Sequence, residues 1–246
     1  MQGNKPTISV ITVCYNAAED LEKTIRSVLS QTYPHIHYIV IDGASKDATP
    51  EVLSRYREKI DVILSEPDRG IYDAMNKGIV LATGDYVCFM NAGDLFHRDN
   101  TLAEAFAQVG APLPGVIYGD TDIVDADRRR LRRRRLSPPE VLTAGSFRRG
   151  MLVCHQSFYA RRDLVPMYDF SYRFSADVDW CIKVLRRSSH NHNTHMVLTD
   201  YLSEGATTKN HRASLRERFA IMRKHYGLVS TLWWHFVFVW RALFLK

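Results

Sequence analysis

The turn after the first apolar run has no Gly-x-Gly-x-x-Gly and no Gly-Lys-Ser/Thr, so a dinucleotide fingerprint and a P-loop are both missing as means of holding phosphates. Cys-x-x-Cys is absent too. Cys14, Cys88, Cys154 and Cys181 are widely spaced, and Cys14 and Cys88 sit inside strand-like apolar runs, where a small buried thiol is the usual occupant. That usage suits a reducing compartment. The first residues, Met1–Pro6, are polar and hold no apolar core of an export signal, so the expectation is a cytoplasmic protein. No apolar stretch reaches the about twenty residues that a membrane span needs; the densest, Leu228–Leu245, is interrupted by Ser230, Thr231, His235 and Arg241.

What is present is an ordinary globular composition, 46% hydrophobic and 24% charged over 246 residues, enough for one large α/β domain or two small ones. The net charge of +6 suits an anionic partner without choosing among nucleotide, nucleic acid and acidic membrane. Ile8–Cys14 is a β-branched run, and Leu21, Ile25, Val28 and Leu29 follow at helical spacing. Tyr38–Ile41 is the next strand. Thr49-Pro50-Glu51 then opens a helix with a hydroxyl cap, a proline at the first helical position and an early acid. Val62–Leu64 and a helix over Ile71–Ala82 continue the alternation, which predicts a parallel sheet with right-handed crossovers.

The stretch Thr83–Asp94 is the centre of the pattern: a turn at Gly84-Asp85, a fully apolar run suited to a strand covered on both faces, then a closing carboxylate. Ligands of open α/β sheets bind outside the carboxyl ends of the strands, which puts Asp94 where a hard cation and an anionic ligand meet. A loop acid capping the helix near Asn100 is the plainer alternative. The earlier strands end in polar clusters on the same edge: Tyr15-Asn16, Asp42–Asp47 and Glu66–Arg69. An aromatic ring there can stack on a base and a carboxylate can accept its ring N–H.

Ser9–Asn16, Ser27–Pro34, Ile41–Asp47 and Gly84–Asp94, four motifs in order over about the first two-fifths of the chain, together resemble the family 2 glycosyltransferases. The resemblance implies a GT-A fold, a mostly parallel sheet with helices on both faces, and an inverting transfer of one sugar from a nucleoside-diphosphate sugar. It implies that Tyr15 packs on the base, that Asp42 hydrogen-bonds it, and that Asp68, Asn76 and Asn91 also serve the donor, a UDP-sugar first. It puts Asp94 on a Mg²⁺ or Mn²⁺ ion, although Asn91 and Gly93 stand where the family often has acids. Asp177, in preference to Asp179, aligns with the general base, and His155 and Gln156 fall near the acceptor site. The lack of Gln-x-x-Arg-Trp argues against a processive synthase.

Val116–Asp120 reads as a strand closed by Gly119-Asp120, with Asp120–Val124 as a second; Asp120 is either a sugar contact or a turn carboxylate. Arg128–Arg135 holds seven arginines in eight positions and cannot be buried. It reads as a solvated hairpin or loop, passive or docking to anionic lipid or a diphosphate-bearing acceptor; aromatic residues are absent from it, and nucleic acid is not expected. His190–His195 has three histidines without acid or cysteine at zinc spacing and reads as a polar loop. Val197–Leu202 is a last strand and Arg212–Tyr226 a charged helix. The tryptophans of Leu228–Leu245 and the flanking Arg223, Lys224 and Lys246 suit a helix lying on a membrane, with a packing or dimer helix and a span as alternatives. The expected division is a transferase domain over 1–210, its nucleotide half 1–110 and acceptor half 111–210, and a membrane-associating helical segment over 211–246. The expected product is a glycan or lipid-linked glycan made at the inner face of the cell membrane. A nucleotidyltransferase and a non-catalytic nucleotide-sugar or membrane-binding protein remain the alternatives.

Overall fold

The computed structural model describes residues 5–203 and 211–244. Its first half is four strands, β1 (Ile8–Cys14), β2 (Ile36–Asp42), β3 (Val62–Ser65) and β4 (Tyr86–Phe89), separated by α1 (Ala18–Leu29), α2 (Thr49–Arg55) and α3 (Ile71–Leu81). They pair in parallel in the order β3-β2-β1-β4, as the alternation predicts. All of β1 is buried. Ile8 and Val10 face one core with Leu21 and Ile25 of α1, and Ile11 and Val13 face the other with Met75 of α3. Burial on both faces explains continuous apolar runs in place of alternating ones. The α3 backbone comes so near β1 that a Cβ on Gly78 would lie 2.4 Å from Ile11 Cγ2, which is why a glycine is tolerated inside that helix.

Beyond β4 come β5 (Leu95–Phe96), α4 (Thr101–Ala107), β6 (Val116–Val124), β7 (Arg130–Arg133), β8 (Phe158–Arg161), α5 (Ala176–Arg187) and β9 (Asn191–Leu202). Here the sheet is mixed. β8 enters antiparallel between β4 and β6, β9 runs parallel to β6, and β5 closes the edge antiparallel to β9. The chain reaches β8 through two short 3₁₀ turns, Ala144–Arg149 and His155–Ser157, and not through the crossover helix that a parallel neighbour usually needs.

Three local expectations change. Asp120 lies inside one strand, not at a break between two, because the β6–β9 pairing continues past a register shift at Gly119; a Cβ there would lie 2.5 Å from Met196 O. His190–His195 is not a loop: Asn191, His192 and Asn193 pair with Val116–Tyr118, and the Asn191 and Asn193 amides donate to Leu142 O and Pro139 O. Polar side chains with partners on a neighbouring segment are compatible with a strand that carries no apolar signal. Ala48, not Thr49, occupies the cap of α2, and the Thr49 hydroxyl instead accepts from Ala17 N at 3.1 Å.

The middle of the arginine run folds as a solvated hairpin strand, β7 pairing antiparallel with β6 and its four residues exposed, but Arg128 and Arg134 turn inward, each half-buried because backbone carbonyls accept from its guanidinium. Two further helices, α6 (His211–Tyr226) and α7 (Leu228–Phe244), meet at Gly227, whose φ of 80° reverses the chain. Ile221 and Met222 of α6 are buried, so α6 is part of the core. No helix among the described residues is long and apolar enough to cross a membrane.

Candidate active site

A cavity of about 750 Å³ opens at the carboxyl edge of β1 and β4 and is closed by α5, α6 and the end of β9. Tyr15 and Asp20 line it from β1–α1, Tyr72 and Met75 from α3, Asn91 and Asp94 from the turn after β4, and His155, Gln156, Asp177, Tyr201 and Arg218 from later elements.

Asp94 is positioned by a tight turn. Its N–H donates to Asn91 O at 2.9 Å, and Gly93 between them has a φ of 104°. That left-handed conformation favours glycine over any acid, a local reason for the departure from an acid-rich motif. The Asp94 carboxylate accepts from Gln156 Nε2 at 2.7 Å and Leu202 N at 3.2 Å. Burial pushes its pKa up to about 7, against those two hydrogen bonds and the nearby Arg128 guanidinium. Arg128 reaches back from the hairpin to donate to Gly93 O. Asn91 Oδ1 is buried with no hydrogen-bond partner. One carboxylate and one unsatisfied amide oxygen at one turn are hard oxygen donors that fit Mg²⁺ or Mn²⁺, with the remaining ligands left to water and phosphate.

Asp177, in the first turn of α5, lines the same cavity. Tyr72 Oη donates to it at 3.4 Å, and burial raises its pKa while the Arg218 charge opposes the rise. Asp179, one turn-step on, is turned away: its carboxylate is held by Lys183 Nζ at 2.5 Å and His225 Nε2 at 2.7 Å, which keep it well below the usual carboxylate range despite burial.

The other expected residues divide. Tyr15 lines the cavity and is 60% exposed. Asp42 is fully buried, and its oxygens accept from Ser45 Oγ at 2.5 Å, Ser65 Oγ at 2.6 Å and Ser45 N at 3.2 Å. It therefore shapes the turn and does not line the cavity. Asp68 stands over the neighbouring glycine: a Cβ on Gly43 would lie 2.5 Å from Asp68 Oδ2 and 3.2 Å from Tyr15 Cδ2. Asn76 does not line the cavity either; its amide exchanges hydrogen bonds with Tyr168 O and N at 3.2 and 2.7 Å, tying α3 to the segment before α5. Asp120 is ion-paired with Arg133 at 2.6 Å and lies outside the lining. His155 lines the cavity but is a core histidine, its Nε2 paired with Tyr168 Oη, its ring stacked on Phe89 and its pKa pushed down to about 3 by burial.

The cavity also holds Asp20, Tyr72 and Arg218, which the sequence pattern did not single out. Asp20 looks like an ordinary first-turn acid of α1, and Arg218 like one charge of a charged helix. A separate group, His97, Asp122 and Asp200, has ligand atoms within 4.8 Å of one another. None of the three lines the cavity, and Asp122 is occupied by Arg130 and Arg133 at 2.7 Å each.

The half-parallel sheet with a cavity at its strand ends is a GT-A type of fold. The family model for glycosyl transferase family 2 matches residues 9–166, and the chain belongs to that family. It is 31% identical over 185 residues to a PGL/p-HBAD biosynthesis glycosyltransferase of Mycobacterium bovis, covering 72% of this chain and 69% of that protein. A putative teichuronic acid biosynthesis glycosyltransferase, TuaG of Bacillus subtilis, is 40% identical over 98 residues, 39% of either chain. Among solved structures, S. aureus TarS 1-349 in complex with UDP-GlcNAc superposes with a TM-score of 0.67 at 18% identity, over 88% of this chain and 64% of that one. The mannosyltransferase PcManGT from Pyrobaculum calidifontis, in complex with GDP-Man and Mn²⁺, gives 0.65 at 21% identity, over 89% and 64%. The likeness to these structures is one of fold, and this chain spans about two thirds of their length.

Proposed function

We propose that this glycosyltransferase moves one sugar from a nucleoside-diphosphate sugar to an acceptor hydroxyl with inversion at the anomeric carbon, in the synthesis of a surface polysaccharide or lipid-linked glycan. One observation carries the reading: Asp94 and Asp177 line the same cavity. Asp94 and Asn91 Oδ1 hold a divalent cation, Mg²⁺ or Mn²⁺, which supplies Lewis-acid stabilisation of the leaving diphosphate. Asp177 takes the proton of the acceptor hydroxyl, and its raised pKa suits a general base. A single base across the cavity from the leaving group implies attack from the opposite face.

At the rim, Tyr15 stacks on the nucleobase and Asp68, in place of the occupied Asp42, accepts its ring N–H. A uracil edge offers such a donor, so UDP is the favoured nucleotide. Gln156 and His155 border the acceptor side. The UDP-GlcNAc and GDP-Man complexes of the structural neighbours support a nucleoside-diphosphate sugar as donor, and the teichuronic acid biosynthesis relative supports a polysaccharide product. The helix α7 presents Leu232, Trp233, Phe236 and Trp240 to solvent, each at least 47% exposed, and this face seats the protein peripherally on the inner surface of the cell membrane beside a lipid-linked acceptor.

The test is transfer from a panel of sugar nucleotides in the presence of Mn²⁺. Asp177→Asn should lower kcat by at least about 10²-fold with donor KM little changed. A variant that transfers at the parent rate removes Asp177 from the base role, and an axial product from an axial donor bond removes inversion.

A further inference from the structure

The helix α6 begins beyond residue 166, where the family match ends, yet it is fastened to the loop that presents Asp177. The Glu217 carboxylate accepts from Arg173 N and Phe174 N, both at 2.8 Å. Ser214 Oγ lies 2.9 Å from Ser175 Oγ. One turn and more further on, Lys224 and His225 reach Asp179 at 3.4 and 2.7 Å. These contacts fix the helix on both sides of Arg218, whose side chain lines the cavity near Asp177.

Two arginines reach the cavity wall, and they differ in what they already hold. The Arg134 guanidinium donates to three carbonyls, Leu136 O at 2.8 Å, Leu152 O at 3.2 Å and Met151 O at 2.6 Å, so it shapes the chain around it. Arg218 Nε is buried with no hydrogen-bond partner, and no ion pair among the described residues involves Arg218. A guanidinium at a cavity wall whose Nε is buried without an acceptor is matched by an oxyanion with two adjacent oxygens. Carboxylates already lining the cavity do not meet that need: Asp177 is near enough to feel the charge but makes no ion pair with it.

We propose that Arg218 is a phosphate-binding residue of the cavity, its guanidinium taking oxygens of a phosphoryl group carried by a substrate. This rests on the reading of the cavity as the transfer site. The phosphoryl group belongs either to the donor diphosphate or to an acceptor phosphate, and the two sources are separable. With only one carboxylate at the cation turn, a fixed second positive charge also compensates the leaving diphosphate better than the ion alone.

The experiment is calorimetric binding to the full chain with Mn²⁺, using pyrophosphate, UDP and dodecyl phosphate as probes, for the parent, Arg218→Lys and Arg218→Ala. A donor contact predicts that Arg218→Ala weakens pyrophosphate and UDP at least tenfold and that Arg218→Lys recovers part of the loss. An acceptor contact predicts unchanged UDP, but dodecyl phosphate binding to the UDP-saturated protein that falls at least tenfold in Arg218→Ala. Unchanged affinity for all three probes in a variant that keeps the parent's melting temperature overturns the proposal. So does a change confined to the pH profile of transfer, which would mean that Arg218 acts only through Asp177. A parent that binds pyrophosphate through Arg218 but no sugar nucleotide leaves this residue's role standing and removes the donor reading instead.

Discussion

Both oxygens of Asp42 already accept hydrogen bonds, from Ser45 in its own turn and Ser65 on β3, while Asp68, beside Tyr15, keeps an oxygen over Gly43. The two carboxylates should therefore separate cleanly. Asp42→Ala strands three donors and should lower stability by about 2–3 kcal/mol in denaturant titration. Asp68→Ala should leave the midpoint nearly unchanged and weaken nucleotide binding by about tenfold; equal affinity would take Asp68 out of the base slot. Asp94 makes a prediction about pH. Its folded pKa, about 7, lies above the ordinary value near 4, so the folded chain holds that proton more tightly than the unfolded chain does. Its contribution to stability is full below about pH 4, declines as pH rises, and is lost above about pH 7. Relative to the parent, Asp94→Asn should thus gain stability between those limits, by about 1.4 kcal/mol per pH unit at the steepest, read from denaturant midpoints without added cation. His155 acts in the other direction, because a buried neutral imidazole at about 3 loses stability as pH falls from about 6.5. A flat difference between parent and Asp94→Asn would show that water reaches the Asp94 carboxylate.

Among the elements, α7 is the one whose outward face lacks a partner. Leu232, Trp233, Phe236 and Trp240 recur at three- and four-residue spacing on its exposed side, while Thr231 is buried and Arg149 lies 5.9 Å from the Trp234 ring on the inner side. At 17 residues it is about 25 Å long, enough to lie along a headgroup layer. Trp233→Ser with Phe236→Ser should cut flotation with anionic vesicles at least tenfold and leave nucleotide binding intact. If the parent instead elutes as a dimer that these changes dissociate, with no vesicle binding, the face is a subunit interface. The same helix shows how sequence legibility varies by element. Its aromatic density is plain in the chain, but which residues face outward depends on how α6 and the Ala144–Arg149 turn cover the rest. β9 was half legible: Val197–Leu202 carries the apolar pattern, whereas Asn191–Asn193 joins the strand through amide hydrogen bonds that leave no hydrophobic trace.

Over the whole molecule, contacts join α6 to residues on the other side of the boundary expected at residue 210. Ile221 and Met222 are core residues, Glu217 holds the loop before Asp177, and Lys224 and His225 pair with Asp179. A chain ending at residue 210 should lose at least about 3 kcal/mol of stability by denaturant titration, from the two vacated apolar sites alone, and should lose transfer activity with it. Retention of both would make α6 an accessory. The amino-acid sequence by itself determined the parallel half of the sheet, because strand-end position and apolar runs on both faces are local signals written in consecutive residues, and it determined the family through four short motifs in order. Only the tertiary structure decided that Asp42 is occupied while Asp68 is available, that Asp179 is paired, and that Arg218 enters the cavity. Those outcomes turn in part on partners 23 to 105 residues away, and no short-range pattern encodes which of two neighbouring carboxylates a distant partner will reach.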